Sequence, residues 1–137
     1  MRSQVRLVRY YHTAVRDRPG EGCRILKELA DSGVNLLAFS AVPIGPGTSQ
    51  LMLFPEDDDR LLRAAEATGI SLHDPQQAFL IQGEDHLGAL AAVHHAFADA
   101  HVNIFASNGV AGGCGGYGCV IYVRPEDVEA AAAALGV

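Results

Sequence analysis

A chain of 137 residues with 49% apolar and 19% charged side chains has the composition of a soluble globular protein, long enough for one ordinary domain or two very small ones. Its net charge is −6 and its basic residues are scattered rather than clustered, which argues against a grip on nucleic-acid phosphates. No stretch reaches the roughly 18 apolar residues of a bilayer span, and three cysteines without framework spacing suit reduced thiols in a cytoplasm.

Residues 5–15 are rich in Val, Leu and Tyr and predict a strand. Residues 20–33 place Ile25 and Leu29 at helical spacing, and 34–43 return to strand character. A turn around "PIGPGT" leads to the strand "SQLMLFPED" and then to an alanine-rich helix over 57–68, where Pro55 and the acids suit a first helical turn. "ISLHD", residues 70–74, reads as a closing strand.

The order then repeats: strand 77–83, helix 88–101, strand 102–109, the glycine-rich "GVAGGCGGYG", the strand "GCVIYVRPED" and a helix over 127–135. Shifting the chain by 68 positions lays Asp17–Ser40 over Asp85–Asn108 without a gap, and seven of 24 pairs are identical, among them Gly20/Gly88, Val34/Val102 and Asn35/Asn103. The pattern predicts a duplicated α+β protein, with unit 1 over residues 1–74 as βαββαβ and unit 2 over 75–137 lacking its last strand. In "NLLAFSAV", "QLMLF" and "CVIYV" odd and even positions are alike apolar, so the second sheet face is expected to be covered. With an edge left unfilled, a homodimer is the expectation.

"DRPGEGCRILKELADSGVNLLAFSAV" resembles the opening half of an ACT domain: an Asp-x-Pro-Gly turn, a helix, then Gly-Val-Asn-Leu entering the second strand. "DHLGALAAVHHAFADAHVNIFASNGV" is similar, with Leu87 where that family favours proline. The resemblance implies two tandem ferredoxin-like units with antiparallel sheets that sense a small molecule, most often an amino acid, between paired units. With no catalytic domain in the sequence, any enzyme it controls is expected on a separate chain. Carried over by position, the ligand residues are Asp17, Arg18, Pro19, Gly20, Glu21 and Gly22 of the first loop with Asn35 and Ser40 of the strand after the helix. Their counterparts are Asp85, His86, Leu87 and Gly88 with Asn103, Ser107 and Asn108.

The loop chemistry points the same way. A helix entry presents unpaired N–H groups to a carboxylate, glycines let the backbone come close, and Asp17 or Glu21 can face an ammonium group. A plain alternative has Asp17 capping the helix, and Asn35 and Asn103 serving turns in a left-handed conformation or by bonding their own backbone.

Other signals point nowhere specific. The glycine-rich run lacks a Gly-Lys-Ser/Thr ending and reads as a flexible hairpin loop over 109–118. Cys114, Cys119 and the histidines lack metal-ligand spacing, so neither a metal nor a cofactor is expected. No motif joins a nucleophile to a base, and the reading is of a protein that is not an enzyme. The remaining alternatives are an interaction module without a small ligand and an enzyme on a ferredoxin-like scaffold.

Overall fold

The computed structural model describes residues 3–137, with elements β1 (Ser3–Arg16), α1 (Glu21–Asp31), β2 (Leu36–Gly45), β3 (Thr48–Pro55), α2 (Asp58–Thr68), β4 (Gln76–Glu84), α3 (Ala89–Asp99), β5 (Ala106–Ala111), β6 (Gly116–Tyr122) and, after a 3-10 turn, α4 (Val128–Leu135). None of its helices is long and apolar enough to cross a membrane. The chain divides into two compact units, Arg9–Gln76 and Gln77–Val137, and the start of β1, up to Val8, belongs to the second of these.

In Arg9–Gln76, β3 pairs antiparallel with both β2 and the latter half of β1. Tyr11, Leu51 and Leu53 share one sheet face with a two-residue period and pack on Ile25 and Leu29 of α1 and Leu61, Ala64 and Ala65 of α2. Tyr10 and Phe54, of opposite parity, are also buried and stack at 4.8 Å between ring centroids. On β1 and β3 the second face therefore carries apolar side chains out of water, but β2 corrects the expectation from "NLLAFSAV", since none of its residues is buried and Phe39 and Val42 are exposed. Asp57 caps α2 by accepting from the Arg60 N–H, and Pro55 ends β3 instead of opening that helix.

"ISLHD" is a correction: residues 70–74 form no strand. The backbone bond that ties this segment to β1 runs from His73 N–H to the His12 carbonyl at 3.0 Å. Five residues between the left-handed Gly69 and Pro75 leave little length for a ladder, and a strand exists only where a ladder forms.

In the other unit β6 pairs antiparallel with β4 and β5, and the start of β1 lies beside β4. Val5 and Leu7 pack on a core of Phe79, Ile81, Phe97, Cys119, Ile121 and Val128, and Ser3 Oγ hydrogen-bonds the Tyr117 hydroxyl. The edge that the sequence leaves unfilled is thus occupied by the beginning of the chain. No empty edge remains beside β4 to call for a second copy of the chain. The glycine-rich segment is likewise more ordered than the expected loop over 109–118. Residues 109–111 belong to β5 and 116–118 to β6, leaving a four-residue turn.

Fine detail recurs at the 68-residue shift. Gly20 and Gly88 both enter their helices left-handed, at φ 89° and 83°. Val34 N–H bonds the Leu29 carbonyl at 2.9 Å and Val102 N–H the Phe97 carbonyl at 3.0 Å, the same helix-ending bond in each unit. The left-handed residues at these ends are Gly33 (φ 78°) and His101 (φ 58°), so the expectation that Asn35 and Asn103 take that conformation is corrected. Glycine has no Cβ to oppose this geometry and histidine does. His101→Gly is expected to raise stability by about 1 kcal/mol, read from the urea midpoint; an unchanged or lower midpoint refutes it.

Tyr11 donates from its hydroxyl to Asp58 Oδ2 at 2.8 Å, and Arg9 lies 3.6 Å from the same oxygen. Burial, reinforced by Asp58, pushes the Tyr11 phenol up to about 12. The unfolded phenol ionises near 10, so the folded chain keeps a proton that the unfolded chain releases. This contribution is complete below pH 10 and is lost as pH climbs toward 12. A decline of about 2 kcal/mol in unfolding free energy is expected over that window, and Tyr11→Phe should flatten it. An identical slope in the variant would rule out Tyr11 as the source.

Candidate functional site

A concavity of about 520 Å³ opens where β4 turns into α3, lined by residues that include Asp85, His86, Gly88, Leu90, Val110 and Tyr117. The loop is held at its start by Asp85 N–H, which donates to the Gly115 carbonyl at 2.8 Å and so ties the β5–β6 turn to the helix entry. Gly88 then turns the backbone with positive φ and no side chain caps α3. Ala89 N–H bonds His86 and Ala92 N–H bonds Gly88, while among the described residues the Leu90 and Ala91 N–H groups have neither a backbone nor a side-chain acceptor. These groups carry the partial positive charge of the helix entry. The Tyr117 ring is buried and its hydroxyl is occupied by Ser3.

The equivalent loop, Asp17–Gly22, repeats the arrangement: Asp17 N–H donates to the Gly47 carbonyl at 3.0 Å and Gly20 is the helix N-cap residue. Again no side chain caps the helix, which corrects the reading of Asp17 as a cap. Glu21 lies 3.4 Å from Arg24 and 3.9 Å from Arg18, so two cations stand beside its carboxylate. Pro19 and Gly22 lie in the exposed turn and first helical turn.

The strand-entry residues part company with these loops. Asn35 donates from Nδ2 to Glu56 Oε2 at 2.9 Å, and its carbonyl accepts from Glu56 N–H. It joins Gly33, Glu56, Asp57 and Arg60 around a separate polar hollow of about 330 Å³ in which Arg60 pairs with Asp57 and donates to the Gly33 carbonyl. Asn103 is exposed ahead of β5. Ser40 lies on β2 opposite Met52, and Asn108 is exposed on β5 opposite Val120. Ser107 bonds His94, a contact across thirteen residues that no local motif announces. Leu87, where the family favours proline, is fully exposed at the lip of the concavity. Leu90, Val110 and Tyr117, which line that concavity, are absent from the residues the sequence pointed to; the signal for Val110 was its place two residues beyond Asn108 on the same strand. Among the described residues no three His, Cys, Asp or Glu side chains gather as a metal site.

No family model matches the chain, and no curated protein does. Solved structures do. A Bacteroides thetaiotaomicron protein aligns at 18% identity and TM-score 0.78, over 96% of this chain and 88% of its own. The regulatory subunit of aspartate kinase from Thermus thermophilus, in ligand-free form, aligns at 18% identity and TM-score 0.64, over 98% of this chain and 94% of its own. That from Thermus flavus aligns at 19% and 0.60, with the same coverage. The chain therefore has an ACT-like α+β fold, and at these identities the likeness is one of fold.

Proposed function

We propose that the chain is a non-catalytic regulatory sensor built of two tandem ACT-like units, and that it binds an amino acid or a related small metabolite at the α3 entry. The observation that carries this reading is the concavity of about 520 Å³ that meets an uncapped helix N-terminus, with Asp85 on its lining. A carboxylate suits the open Leu90 and Ala91 amides, an ammonium group suits Asp85, and Leu90, Val110 and Ala111 offer apolar surface to what lies between. The α1 entry repeats the geometry with Glu21 already paired, which makes it the weaker of the two. The fold likeness to regulatory subunits of aspartate kinase supports control of an enzyme on another chain. The wider reading includes a homodimer in the cytoplasm.

A thermal-shift series with each of the twenty amino acids at millimolar concentration tests this. A ligand at 100 times its dissociation constant is expected to add about 2.7 kcal/mol of stability. A flat response to all twenty would overturn the reading. It would leave the interaction module, which the exposure of Leu87, Phe105 and Val110 favours; sedimentation of the same samples with and without candidate partners reads it directly.

A further inference from the structure

His94 on α3 and Ser107 on β5, the latter among the strand residues carried over as ligand contacts, form a hydrogen-bonded pair outside the lining of the concavity at the α3 entry. His94 Nδ1 lies 2.7 Å from the Leu90 carbonyl, and a carbonyl can only accept, so Nδ1 carries the ring proton. The Nε2 lone pair of the neutral ring then faces Ser107 Oγ at 2.9 Å and accepts its proton. On the other side Cys119 Sγ lies 3.6 Å from Ser107 Oγ; with the hydroxyl proton already committed, the thiol is the donor there. Each link of this chain holds one proton and all its donors point one way. The ring is held in one tautomer by a backbone carbonyl where a full triad uses a carboxylate. Cys119 is buried in the core cluster, whereas Ser107 is exposed on the outer strand of its sheet. Among the described residues His94 has no acid partner, unlike His95, which pairs with Asp99 at 3.3 Å.

We propose that Ser107 is a covalent acyl acceptor, with His94 as its general base, for activated carboxylic esters or thioesters. The Ser107 oxygen attacks the acyl carbonyl carbon while His94 Nε2 takes the hydroxyl proton. The bond to the alcohol or thiol leaving group then breaks, and the leaving group departs with that proton. No oxidant, reductant or metal enters the balance. Leu90 acts as a positioning residue through its carbonyl.

The test treats the full chain with p-nitrophenyl acetate, follows p-nitrophenolate release and maps the acetyl group by peptide mass spectrometry. An acetyl group on Ser107, absent in Ser107→Ala and formed at least about tenfold more slowly in His94→Gln, is the expected result. Acetylation of Cys23, Cys114 or Lys27 without Ser107, or a Ser107 rate indifferent to His94→Gln, overturns the proposal. Should His94→Gln fail to fold, the wild-type map alone decides, since no adduct at Ser107 refutes it. Cys119→Ser, which keeps a donor beside Ser107, should retain the adduct. Amino-acid binding at the α3 entry is read by a separate, non-covalent measurement and stands or falls independently.

Discussion

Phe79→Ala is expected to lower the unfolding free energy by about 3–5 kcal/mol. Phe79 is fully buried at the centre of β4 and meets the Phe97 ring edge to face, with centroids 5.4 Å apart. Truncation removes the transfer energy of the ring, leaves a cavity among Ile81, Cys119 and Ile121, and ends an aromatic pair worth about 0.5–1.5 kcal/mol. Against a typical domain stability of about 5–15 kcal/mol, such a loss unfolds a substantial fraction of the protein near physiological temperature. Urea denaturation followed by circular dichroism measures it. Phe105→Ala serves as the comparison, because Phe105 is 73% exposed and its removal should stay within about 0.5 kcal/mol. A loss below about 1 kcal/mol for Phe79→Ala would contradict the packing described for this unit.

Removal of residues 1–8 is the second large effect expected. It strips Val5 and Leu7 from the Phe79 cluster, takes Ser3 from the Tyr117 hydroxyl, and leaves β4 as an open edge. Two partly buried aliphatic side chains account for roughly 2–4 kcal/mol of that, before any loss of strand pairing. The segment "AFLI" of β4, buried throughout, would then present unpaired backbone along an apolar strand, so the truncated chain should also associate with itself. Hydrogen exchange across 77–137 together with sedimentation reads both consequences. Protection in β4 and β6 unchanged by the truncation would show that the start of the chain is dispensable to this sheet.

Much of the fold was legible in the residues because the signals are local. Helical spacing of Ile25 with Leu29 and of Val93 with Phe97 marks helix faces whatever the rest of the chain does, and the strand runs around "QLMLF" and "CVIYV" announce burial on both sides. The loops at Asp17–Gly22 and Asp85–Gly88 were legible as turns at helix entries, since glycine at a left-handed position is a local requirement. Asn35 illustrates the limit. Its pairing with Glu56 joins residues 21 apart in the chain, and nothing near either one signals it. The Ser107, His94 and Cys119 alignment is of the same kind, assembled across a helix and two strands.

Element order, helix faces and the recurrence of one pattern 68 residues on were determined by the sequence itself, through propensity and hydrophobic period. Tertiary structure alone decided that the start of β1, and not a segment following α4, lies beside β4, and that 70–74 stays irregular. The physical reason is that sheet edges are closed by backbone N–H and C=O groups, which every extended segment carries alike. Which segment supplies them depends on reach and packing in three dimensions.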